Sequence, residues 1–143
     1  MSLLHVRDVS KSFVKGTPVL REVSLEVAPQ TVVALLGASG SGKTTLMNII
    51  AGLDDSYRGS VFMNGVDISR VPPERRNIPL VFQDYALFPH LTVAQNINFG
   101  VKSPPQDLDE FLKRAQLEDK RDAYPTDLSG GQQQRVALLR ALR

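Results

Sequence analysis

The chain has 143 residues, 42% hydrophobic and 22% charged, the length and mix of one ordinary domain able to bury a core. Its 17 basic and 15 acidic residues leave a formal charge of +2, spread without the basic block of a nucleic-acid arm, so charge selects no partner and gives no reason to expect nucleic acid. Cysteine is absent, which excludes disulfides and thiolate metal sites, and neither a signal peptide nor an apolar run of roughly 18 residues is present. The expectation is a cytosolic chain whose membrane association comes through a partner.

In chain order, "LLHVRDV" reads as a strand, and "VLREVSLEVA" does so more clearly, with Val23, Leu25 and Val27 alternating with Glu22, Ser24 and Glu26. A loop near Gly16 to Pro18 joins the two as antiparallel neighbours. "TVVALLG" from Thr31 is apolar almost throughout, which predicts a strand buried on both faces in a parallel sheet. Beyond a glycine-rich loop, Leu46, Ile49, Ile50 and Leu53 fall at i, i+3, i+4 and i+7, predicting a helix with Gly52 near its end and Met47 as core filler. A hairpin at Asn64-Gly65 follows, then a short apolar run "IPLVF" ending at Gln83, with Pro79 tolerable only at a strand beginning or edge.

From about Asp84 the pattern changes to short helices. Thr92 with Gln95, and Asp107 with Glu110, have the spacing of reciprocal N-terminal caps, and "KSPP" at 102–105 reads as a loop between them. Val136, Leu138, Leu139 and Leu142 carry a helical pattern to the last residues without a Gly or Pro stop, which reads as an element cut short.

Two stretches carry chemistry. "GASGSGKTT" fits G-x-x-x-x-G-K-[ST] between a predicted strand and a predicted helix, the context that pattern requires. Glycines let successive N–H groups turn toward an anion, the helix adds its positive end, Lys43 supplies a mobile charge, and the Thr44 hydroxyl suits Mg²⁺. The loop is expected to hold β- and γ-phosphates through Gly37, Ala38, Ser39, Gly40, Ser41, Gly42, Lys43, Thr44 and Thr45. Alone it leaves kinases, small GTPases and transport ATPases open. The second stretch, "LSGGQ", places Ser129 at a helix N-cap with Gly130 and Gly131 exposing backbone N–H groups, a second anion site or a plain capped helix start.

Together, the phosphate loop followed by "LSGGQQQRVAL" resembles the ATP-binding subunit of ATP-binding-cassette (ABC) transporters, and "VFQDYALFPHLTVAQNINFG" is similar to the intervening segment of the bacterial importer branch, of iron, polyamine, sulfate or sugar type. The resemblance runs over essentially the whole chain. It implies an α/β fold: a P-loop NTPase core with an N-terminal antiparallel β-subdomain and an α-helical insertion. The chain would form one partial nucleotide-binding domain, with the β-subdomain and phosphate-loop core over 1–83 and the helical subdomain with the signature over about 84–143. It implies further that Phe13 stacks on adenine, for which a core aromatic is the other reading, and that Gln83 contacts the metal and the attacking water. Leu128, Ser129, Gly130, Gly131 and Gln132 would cover, in trans, a nucleotide held by a second ATP-binding subunit in a head-to-tail dimer.

By the same resemblance the cofactors are ATP and Mg²⁺, and the further partners are transmembrane permease subunits, faced by "DYALFPHLTV", with a periplasmic solute-binding protein in the complete system. The place of work is the cytoplasmic face of the inner membrane. His90 has no second ligand at suitable spacing, which favours a structural or interfacial role. The family's metal-binding aspartate and catalytic glutamate follow the signature helix, and neither is in this sequence. The expectation is a portion truncated before that strand, binding nucleotide weakly and hydrolysing little, or alternatively a non-hydrolysing remnant or nucleotide-responsive module.

Overall fold

The computed structural model describes residues 3–14, 16–101 and 107–143, which form two compact units, Met1–Ile78 and Pro79–Arg143. In the first, β1 (Leu4–Val14), β2 (Thr17–Val27), β3 (Arg58–Met63) and β4 (Val66–Asp67) make one antiparallel sheet in the order β2-β1-β3-β4. The alternation read in β2 holds, with Val23, Leu25 and Val27 half-buried and Glu22, Ser24 and Glu26 exposed. Asn64 and Gly65, at φ 50° and 80°, form the tight turn between β3 and β4 that their sequence predicts. The β1–β2 pairing is irregular, and Asp8 and Glu22 sit at φ 50° and 47°, where Ser24 Oγ and Ser10 Oγ accept their N–H groups at 2.9 and 2.8 Å.

Helix α1 (Lys43–Ala51) buries Leu46, Ile49 and Ile50 against Val6, Val9, Leu20 and Val61 of the sheet, as its spacing predicts. Gly52 ends it at φ 84°. Leu53 lies past that cap and is 51% exposed, while Met47 is 42% exposed and not the core filler expected, because it lies off the stripe of Leu46, Ile49 and Ile50. Arg76, at the end of the single turn α2 (Pro73–Arg76), is buried and donates to Ile49 O and Ile50 O at 2.8 and 2.9 Å, to Val71 O at 2.7 Å and to Ser69 O at 3.1 Å. It thus neutralises the C-terminal carbonyls of α1 with a cation at the negative end of the helix. Buried Lys11 likewise donates to Asp54 Oδ1 and Ser56 O, both at 2.7 Å.

Two expected strands are absent. Residues 31–38 and 78–82 pair with no other strand among the described residues, and Val32 and Leu36 are 99% and 92% exposed. Apolar, β-branched sequence gives the propensity, but a strand exists only through a neighbour's hydrogen bonds.

The second unit packs α3 (Val93–Ile97), α4 (Leu108–Arg114) and α5 (Gly130–Ala141) around Val93, Ile97, Leu112, Leu117, Val136 and Leu139. Thr92 caps α3 as expected, its Oγ1 accepting from Gln95 N at 3.3 Å while Gln95 Oε1 accepts from Thr92 N at 2.9 Å. The matching expectation at α4 fails: Asp107 makes no cap bond because Arg143 Nη1 holds its Oδ1 at 2.7 Å. The loop expected at 102–105 lies outside the described residues. Fully buried Asn96 accepts from Phe88 N at 2.8 Å and donates to Phe88 O, Leu91 O and Thr92 O at 3.1, 2.9 and 3.0 Å, fixing the chain ahead of α3. Among the described residues no helix is long and apolar enough to cross a membrane.

These polar anchors should be sensitive to chemistry at constant shape. Asn96→Asp turns a donor facing three carbonyls into an anion and is expected to cost about 3 kcal/mol or more at pH 7, read as a lower urea midpoint. Arg76→Lys cannot span four carbonyls with one ammonium and is expected to cost about 2 kcal/mol by the same measurement.

Candidate functional site

The chain from residue 37 reaches α1 through a tight loop. Gly40 and Gly42 take φ of 79° and 90°, and the Ser41 N–H donates to Ala38 O at 3.2 Å. At Gly42 a Cβ would stand 2.8 Å from Leu20 Cδ2 and 3.1 Å from Val19 O, so glycine is required there both by its backbone and by the floor that β2 provides. Around Gly40 nothing lies within 4 Å of that position, which leaves the mouth of the loop open.

Lys43 turns back over the loop, where its Nζ donates to Gly37 O and Ala38 O at 2.8 Å each and to Ser41 Oγ at 3.2 Å. These acceptors are neutral, so no carboxylate among them pairs with the ammonium beside the helix start. The first N–H of α1 to find a backbone carbonyl is that of Leu46, onto Gly42 O at 2.9 Å. The N–H groups before it face out of the helix end, where a nine-residue helix concentrates positive partial charge. A lysine held by oxygens that an anion can replace, and an open ring of N–H groups, suit a phosphate chain. Residues 37–45 thus come together as one site, with Ala38, Ser39 and Thr44 exposed on it.

Phe13, for which a core position was the competing reading, is 66% exposed near the end of β1, with Lys11 Nζ 4.9 Å from its ring centre. Its neighbours Ser12 and Val14 pair with Pro18 and Thr17, one to three residues before the Val19 and Leu20 that floor Gly42. The ring is available for stacking on that hairpin.

The remaining residues belong to the second unit. Gln83 is exposed and is the first residue of the turn at 83–86. Ser129 caps α5, its Oγ accepting from Gln132 N at 3.3 Å while Gln132 Oε1 accepts from Ser129 N at 2.8 Å. Leu128 is buried beneath, and Gly130 and Gly131 are exposed with nothing within 4 Å of a Cβ at either. Gln133 Nε2 donates to Pro125 O at 2.9 Å and to Leu128 O at 3.3 Å, and Arg135 Nη1 to Ala115 O at 2.7 Å, which seats the helix start. Arg76 and Asn96, which orient α1 and the segment before α3, stand outside the motifs of the sequence. Only their bonds to several carbonyls at once mark them.

With this geometry the chain matches the ABC transporter family model over residues 20–143. It is 49% identical to the sulfate/thiosulfate import ATP-binding protein CysA of Synechocystis sp., over 99% of this chain and 41% of that protein. It is 42% identical to the spermidine/putrescine import ATP-binding protein PotA of Haemophilus influenzae, over 98% of this chain and 39% of that protein. The chain therefore spans about two fifths of the length of these relatives. Among solved structures, a bacterial Atm1-family ABC exporter with ATP bound superposes at a TM-score of 0.84 with 29% identity, covering 97% of this chain and 27% of the exporter. A lysine-bearing phosphate loop and a capped glycine signature, in this order and within a family match over most of the sequence, establish that the chain belongs to the ABC transporter family.

Proposed function

We propose that this chain is the nucleotide-binding portion of an importer-type ABC ATP-binding subunit, and that the complete protein couples ATP binding and hydrolysis to solute uptake. The observation that carries the reading is Lys43 folded onto Gly37 O, Ala38 O and Ser41 Oγ at the open N-terminus of α1. A polyphosphate replaces those oxygens with charged ones, at a charge-assisted gain. Phe13 supplies a face for adenine beside the same hairpin.

Magnesium fits as the nucleotide's companion. Among the described residues no three His, Asp or Glu side chains converge on a metal site, and the donors this reading assigns to the ion are the neutral Thr44 hydroxyl and the Gln83 amide oxygen. The charge that holds Mg²⁺ then comes from the phosphates, and the ion supplies charge neutralisation at the transferring phosphoryl group. In this reading residues 128–132 serve a nucleotide held by a second subunit, which accounts for two anion-binding helix starts in one chain. The segment from Asp84 to Val93 faces a membrane permease subunit at the cytoplasmic side of the membrane, and a solute-binding protein feeds that permease.

The importer direction is supported by the import proteins among the relatives; the exporter match shows that the fold serves both. The solute is not written in these residues. By their names, one relative imports an anion and the other polycations, although each is similar over nearly all of this chain. We assign solute choice to the membrane and solute-binding partners.

Calorimetric titration with Mg·ATP is expected to show saturable binding by this chain that Lys43→Ala weakens about tenfold or more. Equal binding by wild type and variant contradicts the assignment. The loop's own contacts include no carboxylate to activate water, so phosphate release by the chain alone is expected about 10² to 10⁴-fold below that of a complete subunit. Sustained turnover that disappears with Lys43→Ala contradicts that part.

A further inference from the structure

From Gln83 to Ala86 the chain makes a turn that its sequence does not favour. Tyr85 and Ala86 take φ of 63° and 44°, a left-handed conformation disfavoured for side chains bearing a Cβ, and no glycine is present to relieve it. The turn closes through the Tyr85 N–H on Phe82 O at 3.0 Å. What meets its carbonyls is one side chain from α5: Arg140 Nη2 donates to Tyr85 O at 2.9 Å and Nη1 to Ala86 O at 2.8 Å. The same guanidinium lies 5.5 Å from the ring centre of Phe88, whose N–H and carbonyl are both held by Asn96.

We infer that Arg140 is a positioning residue that clamps this left-handed turn, and with it Phe88, onto the helix whose first turn carries Gly130 and Gly131. A planar fork suits the task, since its two N–H groups reach two successive carbonyls at once while its charge lies over an aromatic ring. Desolvation at this partly buried site holds the guanidinium pKa below its ordinary value, in keeping with a head group engaged by protein. Arg140 stands ten residues beyond Gly130, about 15 Å along the helix. A push on residues 85–90 is thereby delivered to the far end of a rigid rod that presents the signature at its other end. Gln83, Phe88 and the signature helix become parts of one body, coupled by a group that touches neither nucleotide nor metal.

That residues 85–90 face a membrane partner rests on the reading given under Proposed function. The clamp itself is tested without a partner, so either can fail while the other stands. The experiment is residue-resolved amide hydrogen exchange on the full chain for Arg140→Gln, Arg140→Lys, Ala86→Gly and the double variant Arg140→Gln with Ala86→Gly. Arg140→Gln is expected to speed exchange at residues 85–88 about tenfold or more while Ile97 and Val136 stay protected. Arg140→Lys, able to serve one carbonyl at a time, should fall between. Ala86→Gly removes the penalty on the left-handed backbone and should recover most of the lost protection in the double variant. If Arg140→Gln does not fold, Arg140→Lys and Ala86→Gly alone still decide, the first speeding and the second slowing exchange at the turn. Unchanged exchange at 85–88, an equal rise throughout the unit, or no rescue by glycine would overturn the inference.

Discussion

The left-handed backbone of Gly42 is the constraint on which the nucleotide end of this molecule depends. It sits where a Cβ would collide with Leu20 and Val19 of β2, so the loop can rest on the sheet only with glycine at this position. From that seat α1 starts in the one direction that sends Leu46, Ile49 and Ile50 into the core and leaves its first N–H groups outside. Lys43, next in the chain, then has its own loop's oxygens as nearest acceptors. The other end of the helix is fixed as firmly. Gly52 turns the chain at φ 84° and Arg76 gathers the last carbonyls, so α1 is an oriented dipole with its negative end neutralised inside the unit and its positive end facing solvent.

The second unit follows a different logic. Its apolar core is built from short helices that could not stand alone, and long polar side chains hold the connecting segments by their carbonyls. Asn96 serves residues 88–92, Arg135 the end of α4 and Arg140 the turn at 85–86. A buried donor facing several carbonyls specifies one loop conformation more narrowly than an apolar contact does, because every alternative leaves those groups unpaired. Such segments keep a defined shape while presenting Phe82, Phe99 and His90 at the surface.

Much of this was legible in the sequence where local chemistry decides. The spacing of Leu46, Ile49 and Ile50, the alternation of Val23 to Val27, Asn64-Gly65, the reciprocal cap at Thr92 and the N-cap at Ser129 all took the form their neighbours in sequence dictate. Expectations failed where a distant partner decides. Residues 31–36 have the composition of a buried strand but no paired neighbour among the described residues, and Asp107 has the position of a cap but gives its carboxylate to Arg143. Lys11 and Arg76 carry no sequence signal of burial, because the acceptors that meet them, at Asp54 and Ser56 and at Ile49 and Ile50, are brought from elsewhere in the chain. The phosphate loop was readable for the opposite reason: glycines, lysine and hydroxyl lie within one stretch, and the geometry they need is local.

On the function proposed, this chain holds nucleotide at the glycine loop alone, and its second glycine-rich helix start serves a nucleotide held elsewhere. Amide NMR shifts recorded while Mg·ATP is added to dilute chain separate the two helix starts directly. Saturating shifts are expected at Gly40, Gly42, Lys43, Thr44 and Thr45, with Gly130, Gly131 and Gln132 unmoved while the chain remains monomeric. Shifts at the second group over the same concentration range in monomeric chain, or none at the first, would contradict that reading.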